Sequence, residues 1–467
     1  MNADVAVVGG GYAGLTAAQA LHDAGVDVVV LEARDRVGGR VFTEPIPGAW
    51  IDHGGQWAGP TQRRILALAA RHGVELFNTY DEGDNIILRG ENRAHYKGPI
   101  PTDRTDLAAD EIALLLELDL MGLQVPLDAP WEAPDAERWD SLTAHSWFEQ
   151  NVDNDEVRLD MKGLVNAVFS AELREISFLH FLFYLHSAGG STKTITVGGG
   201  AQEQRFVGGA QTTANRVATL LGERVKLEHP VRRITRTDAS VTLEGDGFSV
   251  EARRAVVAVP PPLAAQIEWR PMLPVDRDQL HQRVPMGTVM KLHAVYDRPF
   301  WREDGLSGQA VADSGSVAVV FDNSPPDASC GILLGFIEGD HARTWGLASP
   351  EARREEALRG FARYFGDRAL KPEAYYEKSW AHEQYSRGCY AGLFPPGVWT
   401  TSGRAIRTPV GPLHWAGTET ATEWMGYIDG AVQSGERAAR EVLEALDVPR
   451  ERWPALLASE PAATAAT

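Results

Sequence analysis

Residues 5–33 read VAVVGGGYAGLTAAQALHDAGVDVVVLEA, and this stretch decides the fold class. Val5 to Val8 is a short apolar run suited to a buried parallel strand. Gly9, Gly11 and Gly14 form G-x-G-x-x-G. Leu15 to His22 reads as a helix ending near Gly25, and Val26 to Leu31 as a second buried strand closed by Glu32. Each glycine has a task beside a dinucleotide. Gly9 permits a tight turn, Gly11 lets the backbone reach a pyrophosphate, and Gly14 lets the helix pack close to the strand. The helix N-terminus offers N–H groups and a partial positive charge to phosphate. Glu32 can accept hydrogen bonds from ribose hydroxyls, and its charge repels a 2′-phosphate. Set between two apolar strands with an acid after the second, the motif predicts a Rossmann-like α/β nucleotide-binding domain.

Outward from this unit, Arg36, Gly38, Gly39, Arg40 and Thr43 make R-x-G-G-R-x-x-T. Two glycines between two arginines suit a second backbone approach to a diphosphate, with guanidinium groups beside it. Nicotinamide dehydrogenases do not usually carry this second element, so the expectation moves from NAD to FAD. The 467 residues hold 64 Asp and Glu against 45 Lys and Arg, a formal net charge of −19. Nucleic acid and anionic membrane both need a basic face and are not expected as partners. Two cysteines, Cys330 and Cys389, exclude a disulfide scaffold and fit a reducing cytoplasm. The apolar N-terminal stretch runs into the glycine turn, so it reads as a strand and not a signal peptide. No run of about 18 apolar residues suggests a membrane span. The terminal SEPAATAAT is small and polar and is expected to be disordered.

Asp52 and His53 have no second ligand at helical or hairpin spacing, so a structural role is expected rather than a metal. Residues 63–76 read as an amphipathic helix. Residues 77–205 read as a mostly helical insertion, with helices around 141–150, 157–171 and 176–188. The glycine-rich loop at 189–209 lacks G-K-[ST] and suits a cavity-lining turn. After a helix over 208–221 come several strands, with Gly245-Asp246-Gly247 as a hairpin turn. Mixed strand and helix fill 285–385. A strand, a loop and a long helix opened by Gly426 and Gly430 close the chain. This order implies a discontinuous FAD-binding domain over 1–76, 206–281 and 383–450. An inserted α+β substrate domain is expected over 77–205 and 282–382, with a tail at 451–467.

One residue stands out within these strands. Lys291, in VMKLHAVYD, lies between apolar neighbours, where a lysine is costly to bury unless partnered. Five segments then give a wider signal: GGQWAGPTQ, GGGAQEQRFVGG, RVPMGTVMK, EQYSRGCYAGLFPPG and AGTETATEWMGYIDGAVQSGERAARE. Together with the opening motif they make the chain resemble the flavin-dependent amine oxidases of the monoamine oxidase family over nearly its whole length.

The resemblance implies oxidative deamination of a primary aromatic or alkyl amine by O2 to aldehyde, ammonia and hydrogen peroxide. Catalytic roles are implied for Lys291, Tyr390 and Tyr427. The lysine holds a water near flavin N5, and the two tyrosines stand as an aromatic pair around the amine. Contacts to FAD are implied for Gly9, Gly11, Ala13, Gly14, Glu32, Arg34, Gly39, Arg40, Gly55, Gln56, Trp57, Val231, Trp380, Gly417, Glu419, Tyr427 and Ile428. Cys389 occupies the position at which monoamine oxidases attach FAD through a thioether. Leu164, Ile195, Gln202, Val319 and Phe336 match cavity positions, and Trp57 stands where tyrosine is usual. SVAVVF holds no carboxylate for a second ammonium, which weakens a diamine or polyamine oxidase reading, such as a putrescine oxidase. The same motifs would also serve a desaturase or dehydrogenase using another acceptor, or a non-catalytic flavin-binding interaction protein. The hydrophobic C-terminal anchor of mitochondrial members has no counterpart in VPRERWPALLASEPAATAAT, and the resemblance is compatible with a homodimer.

Overall fold

The computed structural model describes residues 1–98 and 104–458; the expected disorder of SEPAATAAT lies outside these described residues. The chain forms two compact units. One comprises Met1–Gly39, Thr213–Gln282 and Arg404–Thr467, the other Arg40–Thr212 and Arg283–Gly403.

In the first unit the opening run forms the strand Asn2–Val8, whose Val5 to Val8 are buried. It pairs in parallel with Val28–Leu31 on one side and Phe248–Val257 on the other. Two buried faces explain why these strands are continuous apolar runs rather than alternating ones. The sheet continues outward through Val225–Lys226 at one edge. At the other it runs through Val241–Gly245, Val231–Arg236 and Glu268–Arg270. Phe248–Val257 is long enough to serve two partners. Its first half closes the hairpin on Val241–Gly245 across Asp246–Gly247, and its last three residues pair with Leu413–Trp415. The helix Tyr12–Asp23 is buried along nearly all its length against the long helix Ile428–Ala445. They approach so closely that a Cβ on Gly435 would lie 2.3 Å from the Ala13 carbonyl oxygen.

The second unit is built on a seven-stranded sheet. Its order is Ala374–Ser379, Val289–Tyr296, Gly331–Glu338, Val319–Asp322, Leu306–Ala312, Asp84–Arg89 and Asn92–Tyr96. Val289–Tyr296 and Gly331–Glu338 are buried throughout. In register, Val319 stands opposite Phe336, and Phe336 opposite Lys291. Directly paired residues share a sheet face, so this row presents Lys291 beside two apolar side chains.

Three expectations change. Residues 77–205 are not mainly helical from their start, because Asp84–Arg89 and Asn92–Tyr96 form a hairpin turning at Gly90 (φ 58°). The helix expected over 63–76 stops at Arg71. Gly73 adopts a positive φ, and Leu76–Asn78 joins a small sheet with Gln204–Phe206 and Trp57–Ala58. That small sheet holds residues 40–76 and 206–212 in the second unit rather than the first. Residues 383–403 join them there, tied by Leu393 N–H to the Pro285 carbonyl and Gly397 N–H to the Asp140 carbonyl. Among the described residues no helix is long and apolar enough to cross a membrane.

Gly435→Ala is expected to lower the melting temperature, since forcing a methyl into a full interface costs about 1–3 kcal/mol. Gly163→Ala, in the helix Asp155–Phe169 with open space around the added methyl, should be neutral or stabilising. Equal melting curves for the two variants would refute the close helix contact.

Candidate active site

The first unit carries a dinucleotide cradle. Gly9 has φ 101°, and a Cβ there would meet the Ala258 carbonyl oxygen at 2.9 Å. A Cβ on Gly14 would fall 2.0 Å from the Gly9 carbonyl oxygen. Only glycine fits either place. Gly11 is the N-cap of the Tyr12–Asp23 helix, which begins with Tyr12 and Ala13, and no side chain caps its first turn. The second glycine element folds onto the first: Gly38 N–H donates to the Gly10 carbonyl at 2.9 Å, and Gly39 lies against Gly11. Glu32 is buried. Its Oε2 accepts from Gly10 N–H at 2.6 Å and its Oε1 from Arg34 N–H at 2.9 Å. Each oxygen retains a lone pair for a ribose hydroxyl. His229 N–H donates to the Glu32 carbonyl, two residues before Val231.

At the same carboxyl edge of this sheet, just after Leu413–Trp415, Gly417 (φ 118°) opens the turn containing Glu419, which is buried. Thr418 Oγ1 accepts from Gly426 N–H at 2.7 Å and donates to the Tyr427 carbonyl at 2.9 Å. This clasp sets Tyr427 as N-cap and Ile428 as first residue of the long helix. A turn without Cβ atoms, an uncapped helix start and an acid beyond the second strand fit the two phosphates and ribose of FAD.

The second unit carries the reactive side chains. Lys291 is buried, and its Nζ donates to the Gly54 carbonyl at 2.8 Å and to Gln56 Oε1 at 2.6 Å. Gln56 is held in turn, its Nε2 donating to Asn323 Oδ1 at 2.7 Å. Burial pushes the Lys291 amine down to about 7, against the opposing pull of Asp52. Trp57 and Phe336 flank it, with ring centroids 5.5 and 5.7 Å from Nζ. Phe321 and Tyr390 complete an aromatic wall, at 5.1 Å from Trp57 and 6.2 Å from Phe336. Cys389 and Trp380 are buried in the same cluster. Trp380 Nε1 donates to the His53 carbonyl at 2.7 Å.

Arg40, expected beside phosphates, donates from its guanidinium to the Tyr390 carbonyl at 2.9 Å, and Gly55 N–H donates to the Arg40 carbonyl. The structure thus gathers Gln56, Trp57, Lys291, Val319, Phe336, Trp380, Cys389 and Tyr390. Leu164, on Asp155–Phe169, and Ile195, ending the helix Ser191–Ile195, form a second, half-buried group on helices that pack together. Gln202 donates to the Thr194 carbonyl. Asp52 and His53 join no metal cluster among the described residues.

One residue escaped the sequence reading. Glu338 follows Phe336 by two positions and shares its sheet face. It is buried, and the Tyr390 hydroxyl donates to its Oε1 at 2.8 Å. Burial raises its carboxyl to about 8, and burial beside Glu338 lifts the Tyr390 phenol well above 10. Both therefore stay neutral at neutral pH. The signal available was an acid closing an otherwise apolar strand, GILLGFIE.

With this geometry in place, the comparisons are specific. Residues 12–443 match the family model for flavin containing amine oxidoreductase. Amine oxidase [flavin-containing] B of Sus scrofa is 42% identical over 450 residues, covering 95% of this chain and 86% of the relative. The probable flavin-containing monoamine oxidase A of Dictyostelium discoideum is 37% identical over 95% of this chain and 98% of its own. Two solved structures superpose with TM-scores of 0.92. A wild-type putrescine oxidase bound to putrescine is 35% identical over 95% of this chain and 99% of its own. The cyclohexylamine oxidase of Brevibacterium oxydans is 33% identical over 96% and 100%.

The raised carboxyl of Glu338 has a stability consequence of definite sign. Its proton is held more tightly folded than unfolded, so this contribution is full below about pH 4.5 and is lost as pH rises through about 8. The loss is at most about 5 kcal/mol. Lys291, depressed on folding, acts oppositely from about pH 7 upward and cancels between variants. Urea unfolding of wild type and Glu338→Gln at pH 5 and pH 8.5 should show the variant relatively more stable at the higher pH. Parallel pH dependences would count against a buried, protonated Glu338.

Proposed function

The chain belongs to the flavin-containing amine oxidoreductase family, and we propose that the amine it oxidises is a primary monoamine with an aromatic or alkyl body. It is an FAD-dependent amine oxidase. Bound FAD would supply two-electron oxidation of the amine and reduction of O2 to peroxide, the imine product hydrolysing to aldehyde and ammonia.

The observation that carries the monoamine reading is the wall of Trp57, Phe321, Phe336 and Val319 around one buried lysine, with no ionised carboxylate among them. Such a wall takes up an apolar body and sheds water, which strengthens every remaining electrostatic contact. The Tyr390 ring faces Phe336 edge-on, and its phenol stays neutral, so the ring can orient an amine lone pair without adding charge. Lys291 is uncharged above about pH 7 and is fixed by two acceptors, which suits the holding of a water whose proton must move. We further propose that Cys389, buried beside Trp380 and Tyr390, tethers the flavin through a thioether. Cys330 and Cys389 form no disulfide, which suits a reducing cytoplasm.

Glu338 favours a second reading. Once ionised, a carboxylate behind Tyr390 could hold the distal ammonium of a diamine.

Two measurements test these readings. Phenethylamine, tyramine, putrescine and spermidine are offered in turn and peroxide is followed. The monoamines should turn over best, with kcat/KM rising with pH as the substrate loses its proton. Preference for putrescine, lost in Glu338→Gln, would establish the diamine reading instead. Denaturing-gel fluorescence should keep flavin on wild type and lose it in Cys389→Ala; flavin released from wild type would refute the tether.

A further inference from the structure

Behind Lys291 lie polar atoms that amine binding does not use. His293 follows Lys291 by two residues on the strand Val289–Tyr296, so both side chains share one face. The His293 ring is fully buried, and neither Nδ1 nor Nε2 has a partner within the protein. His53 stands edge-on to it, with ring centroids 5.7 Å apart and planes at 86°. His53 Nδ1 is likewise buried and unpartnered, while Nε2 meets Glu44 Oε2 at 2.7 Å. The Glu44 side chain is 42% exposed. Lys291, His293, His53 and Glu44 thus run in order from a buried amine to solvent.

Three orphan ring nitrogens in one interior are costly unless water satisfies them. The surroundings suit water as well. Asp52 Oδ2 and the Nε and Nη2 of Arg205 are also buried without a protein partner. Electrostatically, Asp52 and Arg205 act on Lys291, and Lys291, His53 and Arg205 act on His293. A buried water needs two to four polar partners, and this cluster offers them.

We propose that His293 and His53 hold buried water and carry protons between Lys291 and the surface carboxylate of Glu44. This rests on the amine oxidase reading, in which two electrons reaching O2 require two protons to complete peroxide. A proton leaving Nζ passes to water. His293 takes a proton at one ring nitrogen as it releases one from the other, and His53 repeats the exchange. Nε2 of His53 then delivers to the Glu44 carboxylate, which gives the proton to solvent. One proton moves, no electrons move, and each imidazole ends neutral as its other tautomer. Delivery inward is the same path reversed.

Neutrality is what the relay requires, because only a neutral imidazole both donates and accepts. Burial holds His293 well below its usual range, and a proton on Lys291, His53 or Arg205 pushes in the same direction. Burial lowers His53 too, with Lys291 and Lys378 adding to the effect and Glu44 opposing it. Asp52, itself raised by burial, acts on Lys291 and Arg205 from the end of the strand Ala49–Asp52.

The test uses the holoenzyme of wild type, His293→Phe and Glu44→Gln. Flavin is reduced with dithionite, without any amine, then mixed with O2 in H2O and in D2O. Failure of the relay is thereby separated from failure of the amine assignment. Reoxidation should slow roughly tenfold or more in His293→Phe, with an enlarged solvent isotope effect. Glu44→Gln, at the surface, should slow less and be rescued by small proton-carrying buffers. A high-resolution crystal structure should show ordered water bridging the free ring nitrogens of His293 and His53. Unchanged rates and isotope effects in both variants, or ring nitrogens without bridging water, would overturn the proposal.

Discussion

The second unit depends on burying one amine. An ammonium in a dry interior is so costly that the group gives up its proton or gathers acceptors. Lys291 does both, with burial pushing it to about 7 and two acceptors fixing Nζ. Those acceptors come from the loop Gly54–Gln56, which packs so closely on Arg40 that a Cβ on Gly54 would lie 2.0 Å from its carbonyl oxygen. Arg40 in turn reaches the Tyr390 carbonyl, and Gln56 reaches Asn323. Segments remote in sequence, near residues 40, 55, 291, 323 and 390, are thereby held around a single Nζ.

What could be read beforehand follows from range. The cradle of Gly9, Gly11 and Gly14 was legible because a tight turn and a close helix–strand approach are local demands on a few residues. The Gly245–Gly247 hairpin was legible for the same reason. Lys291 declared itself as a charge in an apolar strand. Glu338 did not, because its meaning comes from Tyr390, 52 residues later, although the period of two already placed it on the Phe336 face. His53 and His293 are less legible still, since neither shows an unusual pattern and only the packed sheet brings their rings together. The division into units was misplaced at 40–76 because its cause, pairing of Trp57–Ala58 and Leu76–Asn78 with Gln204–Phe206, spans more than a hundred residues.

The interior around Lys291 is polar without carrying much charge. Glu338 and Tyr390 are held protonated by burial, and His293 is held unprotonated by the same cause. Asp52 and Arg205 oppose one another, each shifted by burial toward its neutral form. A purely apolar interior would exclude water equally well but could not pass protons. A charged one would pass them but would draw water in and screen the site. Neutral groups with hydrogen-bonding capacity meet both demands. That is why the costly residues Lys291, His293 and Glu338 lie on one sheet face beside the aromatic wall, where redox chemistry needs dryness and proton movement together.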